Sequence, residues 1–192
     1  MKIAVVGVGY VGLVSGVCLA EVGHEVICVD LDAAKIEQLN QNNVPIYEPG
    51  LSAMVAANRA AGNLHFTTSL AQALLGADAA FIAVGTPSRE GDGHADLSQI
   101  YAAAQSIAEH ASGPLVIINK STVPVGTGDK VQEIVETSRP DMDFHIVSNP
   151  EFLREGAAIK DFMEPDRIVI GVESDQAKSI MAEIYAPFEQ KG

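Results

Sequence analysis

The sequence predicts an α/β fold, a doubly wound, mostly parallel sheet with helices on both faces. Three observations predict it. Short, nearly all-apolar runs such as residues 2–6 (KIAVV) alternate along the chain with segments of helical periodicity. The first run opens onto Gly7-Val8-Gly9-Tyr10-Val11-Gly12, a glycine pattern that turns directly into a helix. The second run, residues 25–30 (EVICVD), ends on an acid.

The elements follow in order. Residues 11–22 are helical, with Val14, Val17, Cys18 and Ala20 apolar, and Gly23-His24 breaks the pattern. After the second strand, Asp32 is placed to cap a helix over residues 33–40. A loop through residues 44–50 leads to a helix at 51–61, a strand at 64–67, a short helix at 70–75 and a fourth strand at 79–84. Residues 85–94 (GTPSREGDGH), rich in glycine and charge, read as a mobile surface loop. Then come a helix at 97–111, a fifth strand at 114–119, a helix at 126–138 and a sixth strand at 143–148. Residues 167–172 read as a further strand and 174–185 as a further helix. No repeat, low-complexity segment or linker divides the chain, so residues 1–192 read as one domain of the Rossmann type.

Hydrophobic residues make up 47% of the chain and aromatic ones 5%, which implies an aliphatic core. A net charge of −13 argues against nucleic acid and anionic membrane surfaces as partners. It leaves room for a nucleotide, because helix N-termini hold phosphate without net positive charge. Cys18 and Cys28 have neither metal-ligand nor disulfide spacing and sit in apolar runs, so they read as buried free thiols, in keeping with a reducing cytoplasm. No signal-like segment and no apolar span long enough for a membrane is visible. His24, His65, His94, His110 and His145 are scattered, so no metal site and no Ser-His-Asp arrangement is expected.

The glycines carry a specific chemistry. Gly7 permits the tight turn, Gly9 lets the backbone approach a pyrophosphate, and Gly12 lets helix and strand pack closely. Tyr10 and Val11 would then meet the pyrophosphate through their backbone. Asp30 stands where an acid accepts the adenosine ribose hydroxyls and repels a 2′-phosphate, which favours NAD over NADP. A glycine turn with a solvated aspartate is the alternative, and the full strand–glycine–helix–strand–acid order argues against it. Lys35 either reaches the adenosine side of the cofactor or is an ordinary solvated lysine.

Many enzymes share this opening, and the later segments are more selective. Residues 45–51 (PIYEPGL), 119–127 (NKSTVPVGT), 148–161 (SNPEFLREGAAIKD) and 165–171 (PDRIVIG), with Gly85-Thr86-Pro87, resemble the UDP-glucose/GDP-mannose dehydrogenase family over essentially the whole chain. The resemblance implies oxidation of the C6 alcohol of a nucleotide-sugar to a carboxylate with two NAD⁺, and it leans toward the UDP-glucose branch. GDP-mannose, another UDP-hexose, or a stand-alone NAD-binding module without chemistry are the alternatives. Other NAD-linked dehydrogenases, of the 3-hydroxyacyl-CoA or 6-phosphogluconate type, would not carry these segments in this order. Family members capture the intermediate aldehyde on a cysteine in a later domain, beyond a central helix. Neither Cys18 nor Cys28 matches that cysteine. The expectation is therefore an NAD-binding half that lacks the central helix and the cysteine domain. Such a half would be inactive alone and monomeric, whereas the whole enzyme would be a homo-oligomer.

By resemblance, Thr122 positions a water near the nicotinamide, Glu151 is the general base of thioester hydrolysis, and Glu155 lines the site beside the cofactor. Phe152, Leu153 and Arg154 contact the nucleotide-sugar, and Thr86 contacts the cofactor. The plainer readings are a turn or helix cap for Thr122 and core packing for Phe152 and Leu153. If residues 151–158 are helical, Glu151 and Glu155 share one face, where two like charges serve structure poorly.

Overall fold

The computed structural model describes residues 1–89, 91 and 94–189, with no side chain described for Glu189. Among them six strands form one sheet: β1 (Lys2–Val6), β2 (Glu25–Val29), β3 (Leu64–Thr67), β4 (Ala79–Ile82), β5 (Leu115–Asn119) and β6 (Phe144–Ser148). The order is β3-β2-β1-β4-β5-β6 and every pairing is parallel. That order reverses direction between β1 and β4, where doubly wound sheets open a ligand crevice beyond the carboxyl ends of their strands.

The apolar runs are continuous because both faces of the sheet are covered. In β1, Ile3 and Val5 join one core while Ala4 joins the other; in β4, Ala79 and Phe81 divide from Ala80 and Ile82 in the same way. The first core lies under α1 (Tyr10–Glu21), α3 (Leu51–Ala61), α7 (Ala158–Met163) and α8 (Asp175–Glu189). The second lies under α4 (Leu70–Leu74), α5 (Ser98–His110) and α6 (Thr127–Ser138). The remaining helix, α2 (Ala33–Asn40), starts at Asp32, whose carboxylate accepts the Ala34 and Lys35 N–H groups as a cap should.

Cys18 and Cys28 are free and buried, as expected, and burial pushes each thiol up to about 12. A Cβ on Gly16 would lie 2.6 Å from the Cys28 sulfur, so helix α1 can lie on the sheet only with glycine there.

One expected strand is absent, and the helix on which a shared face for Glu151 and Glu155 depended does not form. Residues 167–172 are not a strand; they make one isolated antiparallel bridge, Gly171 to Ser148. Residues 151–158 are not a helix: 151–154 are irregular, 155–157 form a turn, and α7 begins at Ala158. Pro150 disfavours helical backbone at Asn149, and Gly156 has a φ of 84°, which ends any helical run. Glu151 and Glu155 therefore do not share a helix face. In the expected loop at 85–94, Glu90, Asp92 and Gly93 lie outside the described residues. No helix among the described residues is long and apolar enough to cross a membrane.

Candidate functional site

Two hollows open beyond the carboxyl ends of the strands. The first, of about 450 Å³, runs across the ends of β2, β1 and β4, with Gly7, Gly9, Asp30, Lys35, Val84 and Gly85 among its walls. Gly7 sits at a φ of 98°, and a Cβ there would come within 2.8 Å of the Ala83 carbonyl oxygen. A Cβ on Gly12 would fall 1.9 Å from the Gly7 oxygen. The fold itself therefore demands these two glycines. It makes no such demand at Gly9, which is exposed and where a Cβ would meet nothing within 4 Å. Gly9 is the N-cap of α1 and offers no side-chain cap, so the first N–H groups of that helix are left for an anion.

Asp30 accepts the Val8 N–H at 2.9 Å, the Asp32 N–H at 3.0 Å and the Lys35 ammonium at 3.2 Å. Burial works against its charge, but the two N–H groups and Lys35 outweigh it and hold the carboxyl below its usual range. Three bonds leave a carboxylate with spare acceptor capacity for a ribose hydroxyl. Lys35 is thus not an unpaired surface lysine: half-buried, it is the ion-pair partner of Asp30, on the wall of the same groove. An open approach at Gly9, an uncapped helix start and an acid at the end of β2 together fit a dinucleotide.

The second hollow, of about 700 Å³, lies past β5 and β6. Lys120, Asn149, Glu151, Phe152, Arg154 and Arg167 are among its walls. Glu151 is half-buried, and its carboxylate accepts the Leu153 N–H at 2.6 Å. Phe152 is 51% exposed, which removes core packing as its role, and the Arg167 guanidinium lies 4.9 Å from its ring centroid. Leu153 does pack against the first core. Arg154 is committed to Asp161 through a two-pronged pair of 3.0 and 2.6 Å, which draws the Asp161 carboxyl down to about 2.

Thr122 is exposed, makes no hydrogen bond to a described residue and does not cap α6, whose N-cap is Gly126. Its neighbour Ser121 donates to the Val84 carbonyl at 3.0 Å, tying the Thr122 loop to the rim of the first hollow. Thr86 is half-buried just beyond the lining of that hollow, four residues past the end of β4. Glu155 is exposed next to Gly156.

Four residues that sequence reasoning missed tie these parts together. Glu48, from the loop before α3, is buried. It accepts a short hydrogen bond from the Tyr10 hydroxyl and the Gly156 N–H at 2.8 Å. Burial opposes its charge, but Tyr10 and the N–H groups of Gly156, Ile159 and Ala158 together hold its carboxyl low. In turn, burial and Glu48 push the Tyr10 phenol up to about 12. The side chain of Tyr10 thus points to residue 156, and its backbone remains at the fingerprint. Lys120, Asn149 and Tyr185 form a second buried cluster under the larger hollow. One signal for it was present: a lysine directly after the fully buried five-residue strand LVIIN.

The sequence profile of the UDP-glucose/GDP-mannose dehydrogenase family, NAD binding domain, matches residues 1–189. The chain belongs to this family. Similar members include UDP-glucose 6-dehydrogenase of Rhizobium meliloti (strain 1021), 58% identical over 97% of this chain and 43% of that protein. UDP-glucose 6-dehydrogenase TuaD of Bacillus subtilis (strain 168) is 52% identical over 97% of this chain and 41% of its own length. Among solved structures, GDP-mannose dehydrogenase from Pseudomonas aeruginosa superimposes with a TM-score of 0.93 at 40% identity, over 97% of this chain and 44% of that one. The chain spans less than half the length of these family members, and the part it spans is their NAD-binding domain. The matched domain is the family's NAD-binding one, and the groove at Gly9 and Asp30 has the open approach, uncapped helix start and strand-end acid that fit such a cofactor. Among the described residues, no cluster of three or more His, Cys, Asp or Glu is arranged to hold a metal.

Proposed function

We propose that this chain is the NAD⁺-binding half of a UDP-glucose 6-dehydrogenase and that it acts in the cytoplasm. The observation that carries the reading is the placement of two hollows at the carboxyl ends of one sheet, a dinucleotide groove on β2-β1-β4 and a cleft with cations and a carboxylate past β5-β6. The relatives named UDP-glucose 6-dehydrogenase support the choice of sugar-nucleotide.

Bound NAD⁺ supplies the hydride acceptor. The chain's own residues bind, orient and manage protons. The backbone from Gly9 to Val11 would hold the pyrophosphate, and Asp30 would accept the ribose hydroxyls while Lys35 balances its charge. Thr86 borders the cofactor beyond β4. The exposed hydroxyl of Thr122 would position a water near the nicotinamide, Glu151 would accept a proton from water in the hydrolytic step, and exposed Glu155 would line the site beside the cofactor. Phe152, Leu153 and Arg154 contact the nucleotide-sugar. Cys18 and Cys28 are buried thiols held in the neutral form, so neither captures an aldehyde.

Calorimetric titration with UDP-glucose and GDP-mannose in saturating NAD⁺ tests the substrate. The reading expects tighter binding of UDP-glucose and no sustained NADH formation by the chain alone. Tighter binding of GDP-mannose, or turnover with both cysteines replaced by alanine, would refute it.

A further inference from the structure

Lys120 is the first residue after β5 and is 5% exposed. Its backbone N–H donates to the Ile82 carbonyl at 3.0 Å, so the chain is still in register with β4 at this point. Its ammonium donates to Asn149 Oδ1 at 3.1 Å and to the Tyr185 hydroxyl at 3.2 Å, and it lies 5.3 Å from the centroid of the Phe162 ring. The Tyr185 hydroxyl donates to the same Asn149 oxygen at 2.5 Å. Asn149 in turn donates through Nδ2 to the Val169 carbonyl at 2.8 Å and through its backbone N–H to the Asn119 carbonyl at 2.9 Å. Three side chains thereby lock together the ends of β5 and β6, helix α8 and the extended segment around Val169.

The chemistry of this cluster is unusual for a structural joint. Among the described residues no carboxylate comes within ion-pairing distance of the Lys120 ammonium; its acceptors are an amide and a phenol. Burial pushes the ammonium down to about 8, opposed only by the charge of Glu151. A methionine would fill the same volume without desolvating a charge, and an apolar replacement of a buried charge is often stabilising. Residues that violate local energetics in this way concentrate at functional sites.

We infer that Lys120 is a positioning residue: through Asn149 and Tyr185 its buried ammonium fixes the segment Pro150-Glu151-Phe152-Leu153-Arg154 on the floor of the larger hollow. Helix α8 is thereby part of the framework of the site. The inference rests on the reading of Glu151 and its neighbours as the acid–base and sugar-nucleotide segment. Pro150 transmits the constraint, because it leaves Asn149 little backbone freedom, and Glu151 closes onto the Leu153 N–H two residues later.

The test uses Lys120→Met and Tyr185→Phe in the whole chain, with thermal melting at neutral pH, amide NMR spectra and UDP-glucose titration. Lys120→Met is expected to melt higher than the parent. The amide resonances of residues 150–154 should nevertheless shift or broaden, and the UDP-glucose Kd should rise about ten-fold. Tyr185→Phe should displace the same resonances by less, since the ammonium keeps its bond to Asn149. A lysine that serves stability alone would give the opposite pattern, a lower melting temperature with no change confined to this segment. Parental resonances at 150–154 in Lys120→Met, or in Tyr185→Phe should the first variant not fold, would overturn the inference. If the parent chain binds no UDP-glucose, the resonances alone decide the positioning role, and the substrate reading is what has failed.

Discussion

The candidate groove across β2, β1 and β4 is shaped chiefly by glycine backbone, with Asp30 and Lys35 at its wall, whereas the hollow past β5 and β6 is shaped by side chains. The groove depends on the left-handed turn at Gly7, the contact between Gly7 and Gly12 and the open approach at Gly9. The larger hollow depends on contacts made over long separations in the chain: Glu48 to Gly156, Lys120 to Asn149 and Tyr185, and Arg154 to Asp161. Backbone sites tolerate change in their side chains but not in their glycines. Side-chain sites tolerate change in the backbone sequence around them but not in a few buried polar groups.

The largest effect should fall on the backbone side. Gly12→Ala places a methyl 1.9 Å from the Gly7 carbonyl oxygen, a clash with backbone that no side-chain rotation relieves, and 3.1 Å from the Ala83 Cβ. It is expected to lower the melting temperature by on the order of 10 °C, whereas Gly9→Ala, in open space, should melt as the parent does and lose NAD⁺ affinity. Similar melting of both variants would break the contrast.

Asp30→Ala comes next. Loss of a charge-assisted acceptor is worth roughly 1.5–3 kcal/mol, so the NAD⁺ Kd should rise about ten- to hundred-fold. NADP⁺ should lose much less.

Glu48→Gln probes the side-chain region. It removes the charge that gathers the N–H groups of Gly156, Ala158 and Ile159. Hydrogen exchange should accelerate at residues 156–160, at a cost of about 1–3 kcal/mol, while the groove keeps its NAD⁺ affinity. Equal acceleration around Gly9 would show that the two regions are one unit.

The smallest effect is a pH dependence. Burial lowers His24 from its ordinary 6.5, so the unfolded chain takes up a proton that the folded chain refuses, and stability falls as pH drops below that value. Lys120 falls from 10.5 to about 8, so stability rises with pH above about 8. Cys18 and Cys28, raised from 9.0 to about 12, reverse the trend once the unfolded thiols ionise. Denaturant unfolding should show maximum stability between about pH 8 and 9, and Lys120→Met should abolish the rise into that window.

The same contrast explains what the sequence revealed. The central strands β1, β4 and β5 were legible because both of their faces are buried, the edge strands β3 and β6 from short apolar-rich runs, and the groove because local geometry demands glycine at Gly7 and Gly12. At residues 167–172 the alternation was real, with Ile168, Ile170 and Val172 half-buried and Val169 exposed, but among the described residues it meets only the last residue of β6, in the single bridge from Gly171 to Ser148, and no ladder forms. The i, i+4 spacing of Glu151 and Glu155 would place them together only on a helix, and instead Glu48, more than a hundred residues earlier, takes up the Gly156 N–H. The burial of Lys120 depends on Tyr185, 65 residues later, and no local pattern carries that information.

Calorimetric titration of the purified chain with NAD⁺ and with NADP⁺ tests the central claim most directly, that the Gly9–Asp30 groove binds NAD⁺. The account predicts saturable NAD⁺ binding at one site, with NADP⁺ weaker by about ten-fold or more, because a 2′-phosphate would meet the Asp30 carboxylate. Equal or tighter binding of NADP⁺, or no binding of either to the folded chain, would contradict it.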